Sequence, residues 1–289
     1  GRVIEAESGK PVAGVMIGYG VTKKGSASFG FGNSATNSAG EFRLEGLTPN
    51  SYNAYVIGLE ASENYADSLN FEITGGDVSG LEIKMHQGSS ISGVAVIEGS
   101  NDPKLSEKLA KIQIYARSVG GEQQMVISNV FGGTSQIAAN GTFKIGGIKP
   151  GKVQLMANTF MAEKGFSLLR IEHNGVEVKE LQLAAGDRLT GVRLVFAYGT
   201  ASIAGRIEVR GGELPPNVKL MVMVRRQGSG EDFMPAPPVE VDARRQFLIE
   251  GLSPGTYRLT VVNMGFGPGE QVKLPKVEQS VAVTGNGKQ

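Results

Sequence analysis

A motif of eleven residues occurs three times in this chain, at intervals of roughly 100 residues. Each copy has Phe at its third position, a Gly-Leu or Gly-Ile pair at its centre and Pro at its tenth position. The copies span Gly40–Asn50, Gly141–Gly151 and Arg245–Gly255. This interval has the length of a whole domain, whereas solenoid repeats are about 20 to 50 residues long. Each copy is therefore expected to belong to a unit with its own hydrophobic core.

Two further anchors support a division into three units. A strand-like segment that begins with glycine precedes each motif, at Gly1, Gly93 and Gly205. A third anchor closes the first two units, at Gly76–Ile83 and Gly186–Leu194. Because the anchors keep one order and a nearly constant spacing, the sequence predicts tandem domains at residues 1–87, 88–197 and 198–289. Short linkers are expected at Gln87-Gly88 and Tyr198-Gly199.

Apolar residues alternate with polar ones inside each unit. Leu81, Ile83 and Met85 alternate with Glu82 and Lys84, a pattern that puts one face of a strand on a core and the other in water. About seven short strands in roughly 100 residues is typical of a β-sandwich. The predicted fold class is therefore all-β, with three tandem seven-stranded antiparallel β-sandwich modules. We expect one motif phenylalanine to be buried in each core, at Phe42, Phe143 and Phe247.

Proline and glycine predict the turns. Pro150-Gly151 and Pro254-Gly255 suit type II turns, because Pro fixes φ near −65° and Gly accepts a positive φ at the next position. Pro49-Asn50 predicts the same turn with asparagine in place of glycine. Helix is expected only as a short turn after Asp102, which can cap a helix that begins with Pro103.

The composition excludes several classes of function. The net charge is only +1 and the basic residues are spread along the chain, so no nucleic-acid partner is expected. No run approaches the roughly 20 apolar residues of a membrane span, so membrane insertion of this segment is not expected. The chain has no cysteine, which excludes disulfides and thiolate chemistry but leaves the compartment open. Its strand-like beginning, without Met, suggests a segment of a longer protein.

The first unit resembles a known family. Residues 8–15 read Ser-Gly-Lys-Pro-Val-Ala-Gly-Val, and residues 37–49 read Asn-Ser-Ala-Gly-Glu-Phe-Arg-Leu-Glu-Gly-Leu-Thr-Pro. These segments resemble the carboxypeptidase regulatory-like domain, a transthyretin-like (prealbumin-like) sandwich that is also similar to starch-binding domains. The other two units keep only the second half of this motif. The resemblance implies an exported bacterial protein, and it implies no catalytic residues.

The residues that could carry chemistry are few. His86 and His173 are the only histidines, and neither has the spacing of metal ligands, so both are expected to be exposed and structural. A solvated acidic loop is favoured over a calcium site for three carboxylates, at Glu60, Glu63 and Asp67. The sequence contains neither a phosphate-binding glycine loop nor a nucleophile elbow. We therefore predict no enzyme activity, no cofactor and no metal site.

Three functions stay open. The first is a spacer or protein-binding array in a secreted or cell-surface protein, located extracellularly, at the cell surface or in the periplasm. The second is carbohydrate binding, although Trp is absent and aromatic residues are only 7%. The third is an accessory role beside an exported peptidase or receptor. The partner would be a protein or a surface polysaccharide, and the candidate ligand-binding side chains are Tyr19, Phe29, Phe31 and Tyr65.

Overall fold

A computed structural model describes residues 1–22, 28–57, 62–119, 133–158, 164–210, 214, 218–227, 238–263 and 277–285. Within these ranges the chain forms 22 strands and one short helix. The predicted all-β fold class is therefore confirmed. The buried apolar side chains of the described residues form three clusters, which we call the N-terminal, central and C-terminal cores.

The N-terminal core is enclosed by seven strands: β1 (Arg2–Glu5), β2 (Met16–Val21), β3 (Ser28–Ala35), β4 (Asn50–Ile57), β5 (Asn64–Ala66), β6 (Leu69–Ile73) and β7 (Glu82–Gln87). They form two sheets, with strand orders β1-β7-β5 and β3-β2-β4-β6. Val3 and Ile83 from the first sheet pack in one cluster with Ile17, Ala54 and Val56 from the second. This part of the chain is therefore a sandwich of two sheets around one core.

The central core is enclosed by nine strands and the helix: β8 (Ser89–Ile97), α1 (Pro103–Leu109), β9 (Gln113–Ser118), β10 (Thr134–Gln136), β11 (Thr142–Ile148), β12 (Gly151–Asn158), β13 (Phe166–His173), β14 (Val176–Val178), β15 (Leu181–Leu183) and β16 (Arg188–Tyr198). The sheet orders are β11-β8-β16-β13-β14 and β10-β9-β12-β15. Ile91 and Phe196 of the larger sheet pack with Ile114 and Leu155 of the smaller one. These two sheets therefore also form a sandwich.

The C-terminal core is enclosed by β17 (Ala201–Arg206), β18 (Leu220–Arg226), β19 (Val239–Glu240), β20 (Gln246–Leu252), β21 (Gly255–Asn263) and β22 (Val277–Val283). Here the sheet orders are β17-β20 and β19-β18-β21-β22. Ile203 and Ile249 of the pair pack with Val222, Tyr257 and Leu259 of the larger sheet. The pair is thus the counterpart of a larger sheet in each of the other two cores.

The prediction of purely antiparallel sheets is wrong at two places. Strand β1 pairs with β7, and β8 pairs with β16, in parallel. The alternation of apolar residues has a period of two in either direction, so it fixes which face is buried but not which way the neighbouring strand runs. Seven strands were expected around each core, and the described residues provide seven, nine and six.

The motif phenylalanine is buried in two of the three cores. Phe42 is 6% exposed and Phe143 is 5% exposed, as predicted, whereas Phe247 is only half-buried. Phe42 lies in one cleft with Leu81, just before β7, and Phe143 lies in one cleft with Val192 of β16. The expectation of a buried Phe247 is therefore wrong, since its ring packs against the C-terminal core but stays partly exposed.

The segment around Phe42 also differs from its two counterparts. Phe143 lies in β11 and Phe247 in β20, but Phe42 lies outside any strand, next to an isolated bridge between Arg2 and Glu41. The alternation of Phe42 and Leu44 therefore predicted a strand that the structure does not form here.

The predicted type II turns are also wrong. Gly151 has φ 135° and Gly255 has φ 157°, both far from the value of about +80° that this turn requires, and Asn50 is not among the residues with positive φ. All three residues begin strands instead, in β12, β21 and β4. The left-handed conformation lies at the glycine of the central Gly-Leu or Gly-Ile pair, with φ of 73° at Gly46, 63° at Gly147 and 77° at Gly251.

The predicted short helix is confirmed. Helix α1 follows Asp102, whose side chain accepts a hydrogen bond from the Lys104 N–H at 2.9 Å. The Asn174-Gly175 hairpin joins β13 to β14, with His173 paired to Val176. Across the described ranges, no helix is long and apolar enough to cross a membrane.

Candidate functional site: the junctions between the cores

The linker between the N-terminal and central cores is one residue long. Strand β7 ends at Gln87 and β8 begins at Ser89, so Gly88 alone connects them. The Gly88 N–H donates to the Glu63 carbonyl oxygen at 2.8 Å. A Cβ added at Gly88 would lie 2.6 Å from the Gly147 Cα, closer than such atoms approach in proteins. The linker is therefore enclosed by backbone from both sides and leaves no room for a side chain.

The loop that encloses the linker depends on Gly147. Its φ of 63° is a conformation that L-residues other than Gly rarely adopt. A Cβ here would lie 2.5 Å from the Asn64 carbonyl oxygen and 2.8 Å from that of Ser62. The motif glycine thus lets the end of β11 approach the segment that leads into β5. We call this set of contacts the first junction.

The second junction, between the central and C-terminal cores, has the same construction. The Gly199 N–H donates to the Gly165 carbonyl oxygen at 2.8 Å, as Gly88 does to Glu63. The motif glycine Gly251 has φ 77°, and a Cβ there would lie 2.5 Å from the Gly165 backbone nitrogen. In both junctions the linker glycine and the motif glycine contact the same short segment of the preceding core. This segment lies at the start of a strand, β5 in the first junction and β13 in the second.

Charged side chains flank these backbone contacts. At the first junction Lys144 Nζ lies 2.5 Å from Glu63 Oε1, and Lys149 Nζ lies 2.7 Å from Asp67 Oδ1. At the second, Lys164 Nζ lies 2.7 Å from Glu250 Oε2. The paired side chains are about half exposed, and such pairs contribute about 0 to 1 kcal/mol each. These ion pairs therefore contribute little to the stability of the junctions.

Glu63 and Asp67 are 47% and 43% exposed, as expected of a solvated acidic segment, but each of them also forms an ion pair. Both carboxylates are hydrogen-bonded to lysines that lie next to the central core. Glu60, the third carboxylate of that prediction, lies outside the described residues. No local pattern predicts this pairing, because the partners are about 80 residues apart in the chain.

His86 lies beside the first junction. Its Nε2 is 2.9 Å from Asp67 Oδ2, and its ring stacks on Tyr65 with 5.0 Å between the ring centroids. Lys149 Nζ lies 5.9 Å from the centre of the Tyr65 ring. The side chain of His86 is 25% exposed, so it is half-buried rather than exposed as predicted. Its contacts are structural, and they fix the carboxylate that receives Lys149.

These contacts change the acidity of the two carboxyl groups. The hydrogen bond from Lys144 lowers the pKa of Glu63 below its ordinary value, and the charges of Lys144 and Arg188 act in the same direction. Burial raises the pKa of Asp67, but the hydrogen bonds and charges of Lys149 and His86 outweigh it, so that the pKa is lowered overall. Both groups are therefore ionised at neutral pH.

Two of the four candidate ligand-binding side chains, Tyr19 and Tyr65, are described, and the structure does not bring them together. Tyr19 lies on β2, with its ring edge-on to Tyr52 at 6.1 Å. Tyr65 lies on β5, in the other sheet of the same core. Phe29 and Phe31 belong to β3, and their side chains lie outside the described residues. Among the residues described, no group of three or more His, Asp or Glu could hold a metal ion.

The motif glycine of the N-terminal core makes no such junction. In the described part of the chain no atom lies within 4 Å of a Cβ built at Gly46. Beside it, Arg43 and Glu45 pair with each other at 3.0 Å and are mostly exposed. Sequence reasoning placed the linker glycines but missed Gly147 and Gly251, and the repetition of the motif glycine was the signal that could have found them.

No protein-family model matches the chain, and no curated protein matches it, so the family resemblance of the first unit stays a prediction. Among solved structures, the Bacillus anthracis TIE protein is similar with 13% identity and a TM-score of 0.28, over 99% of this chain and 48% of that one. The chain thus spans about half the length of that protein.

Two pilins are also similar. A streptococcal ancillary pilin has 14% identity and a TM-score of 0.29, over 96% of this chain and 93% of that one. The major pilin subunit BcpA of Bacillus cereus has 11% identity and a TM-score of 0.22, over 100% and 96%. TM-scores this low do not define a shared arrangement of sheets, so no function follows from these similarities.

Proposed function

We propose that this chain is a non-catalytic spacer, made of three β-sandwich modules at residues 1–87, 88–197 and 198–289. The modules are stacked through junctions of one design, and the chain acts as a rod of fixed length in an exported or cell-surface protein. The observation that carries the proposal is the repeated junction. At both places a linker glycine donates to a carbonyl oxygen of the preceding core at 2.8 Å, and a motif glycine packs on the same segment.

The junction geometry favours a fixed orientation between neighbouring modules. A linker of one or two residues leaves few backbone dihedrals free, whereas a flexible linker would need many more residues. The glycines at Gly88 and Gly147 are in backbone contact, so the linker cannot turn without breaking that contact. Each further module would add the same step to the length of the rod.

The other functions considered from the sequence gain no support. A sugar site needs aromatic rings that present one flat platform. Tyr19 and Tyr65 belong to different sheets, and each is engaged with a neighbouring ring. The exported setting follows from the family resemblance of the first unit and is part of the proposal.

The absence of cysteine makes the spacer directly testable by site-directed spin labelling. The turns before the motif are equivalent in the three modules and have exposed residues at Ser38, Ala139 and Ala243. We expect double electron–electron resonance to give narrow distance distributions for Ser38→Cys with Ala139→Cys and for Ala139→Cys with Ala243→Cys. Because the two junctions have one design, the two mean distances should be nearly equal.

A flexible insertion provides the control. Six Gly-Ser residues inserted after Gly88 should broaden the distribution between positions 38 and 139 and leave the one between 139 and 243 unchanged. Broad distributions at both junctions of the unaltered chain would refute the spacer.

A further inference from the structure

The strand that begins the central core and the strand that ends it are neighbours in one sheet. Strand β8 follows the first linker, β16 leads into the second, and the two pair in parallel from Ser90 with Arg188 to Ile97 with Phe196. Both lie inside the five-stranded sheet, between β11 and β13. The N-terminal core repeats the arrangement, because β1 pairs in parallel with β7. The two linkers therefore leave the central core from opposite ends of one strand pair.

The direction of this pairing determines how tension along the chain would act on the core. A pull through the two linkers draws β8 and β16 past each other, so it acts on all the hydrogen bonds between them at once. These bonds are evenly spaced along a parallel pair, so the load is shared over its whole length. If the two strands were antiparallel, both linkers would leave from the same end, and the same pull would break the bonds one after another.

The start of β8 is also fixed to the turn before β16. The Ser89 Oγ donates to the Ala184 carbonyl oxygen at 2.7 Å, and Ser89 is fully buried. Arg188, the first residue of β16, donates from Nη1 to the Gly88 carbonyl oxygen at 2.9 Å. The first linker therefore cannot be pulled away from the central core without breaking these bonds as well.

We propose that the chain bears tension along its length, and that the parallel pair of β8 and β16 is the element of the central core that resists it. Forced unfolding is governed by the rate of unfolding, and this rate is low where several bonds must break together. The inference rests on the proposed spacer, since a chain is loaded through its linkers only if it connects two ends. It adds resistance to force, which a spacer of fixed length does not require.

Single-molecule force spectroscopy of the full chain tests the proposal, and the absence of cysteine lets the pulling points be chosen. In the first variant the exposed residues Gln87→Cys and Thr200→Cys are the attachment points, so the pull follows the linkers. The matched variant keeps Gln87→Cys and uses Ala185→Cys, in the exposed turn before β16, so the pull separates β8 from β16 at the end they share. The chain length released between the points identifies the central core in each trace.

We expect the central core of the first variant to unfold at a force at least about twofold higher, because its hydrogen bonds must break together. Both variants should unfold at the same urea midpoint, since the replaced side chains are exposed, so the difference in force reports the direction of the pull. If Ala185→Cys shifts the midpoint, Ala184→Cys in the same turn takes its place.

Equal forces in the two directions, or a higher force in the matched variant, would overturn the proposal. The spacer would survive that result, because its own test is the width of the spin-label distance distributions. Broad distributions together with a direction-dependent force would instead refute the spacer and leave the mechanical resistance of the β8–β16 pair in place.

Discussion

At the scale of single residues, the motif glycine allows two neighbouring cores to come into contact. Gly147→Ala would place a methyl group 2.5 Å from the Asn64 carbonyl oxygen, in addition to the strain of φ 63°. We expect this variant to open the first junction, and to broaden the spin-label distance distribution between positions 38 and 139.

Gly46→Ala is the matched control for that variant. Its φ of 73° gives the same backbone strain, of about 1 to 2 kcal/mol, but no atom of the described chain lies near the new methyl group. The N-terminal core should lose this much stability while the first junction stays closed. If the two variants broaden the distribution equally, contact at Gly147 is not what holds the junction.

The motif phenylalanines should differ in their contribution to stability. Phe42→Ala and Phe143→Ala remove fully buried rings and should each destabilise their own core by about 3 to 5 kcal/mol. Phe247→Ala should cost clearly less, because that ring is only half-buried. Hydrogen exchange resolved along the chain would measure each core separately. Equal losses in all three cores after one substitution would contradict their independence.

At the scale of elements, the sequence predicted the strands better than their partners. Alternation at Leu81–Met85 located β7 to within two residues of its bounds, Glu82–Gln87, because burial on one face is a local property of a strand. The parallel pairing of β1 with β7 joins residues about 80 positions apart, and no local pattern encodes such a partner.

The candidate site was predicted to a smaller extent. Linkers at Gln87-Gly88 and Tyr198-Gly199 follow from the spacing of the repeat. The receiving segments at Ser62–Asn64 and Lys164-Gly165 have no sequence in common, because their backbone atoms make the contact. The equivalence of the two junctions therefore becomes visible only in three dimensions.

The ion pairs of the first junction should make it weakly sensitive to pH. The pKa values of Glu63 and Asp67 are lowered in the folded chain, so their contribution is complete above the ordinary carboxyl values of about 4. That contribution is lost as the pH falls through the lowered values. We expect the distance distribution between positions 38 and 139 to broaden slightly below about pH 4.

The size of this pH effect shows whether charge or backbone contact holds the first junction together. Half-exposed pairs contribute about 0 to 1 kcal/mol each, so acid should broaden the distribution less than Gly147→Ala does. Lys149→Gln should imitate part of the acid effect at neutral pH, since it removes the charge that faces Asp67. Acid broadening greater than that of Gly147→Ala would mean that charge, and not backbone contact, holds the cores together.

At the scale of the whole molecule, a spacer must be long. The three cores follow one another through linkers of one or two residues, and the motif end of each later core rests on the core before it. In the proposed spacer, contacts of this kind place each core after the last. A spacer needs this arrangement, whereas a compact binding unit would need the cores side by side.

Small-angle X-ray scattering of the monomeric chain tests this claim most directly. Three modules set end to end make a rod of about 100 Å, with a radius of gyration of about 29 Å, whereas one compact globule of 289 residues would have about 19 Å. For the spacer we predict a radius of gyration above about 26 Å that does not change with salt, since exposed ion pairs are minor contributors. A monomer value near 19 Å would contradict it.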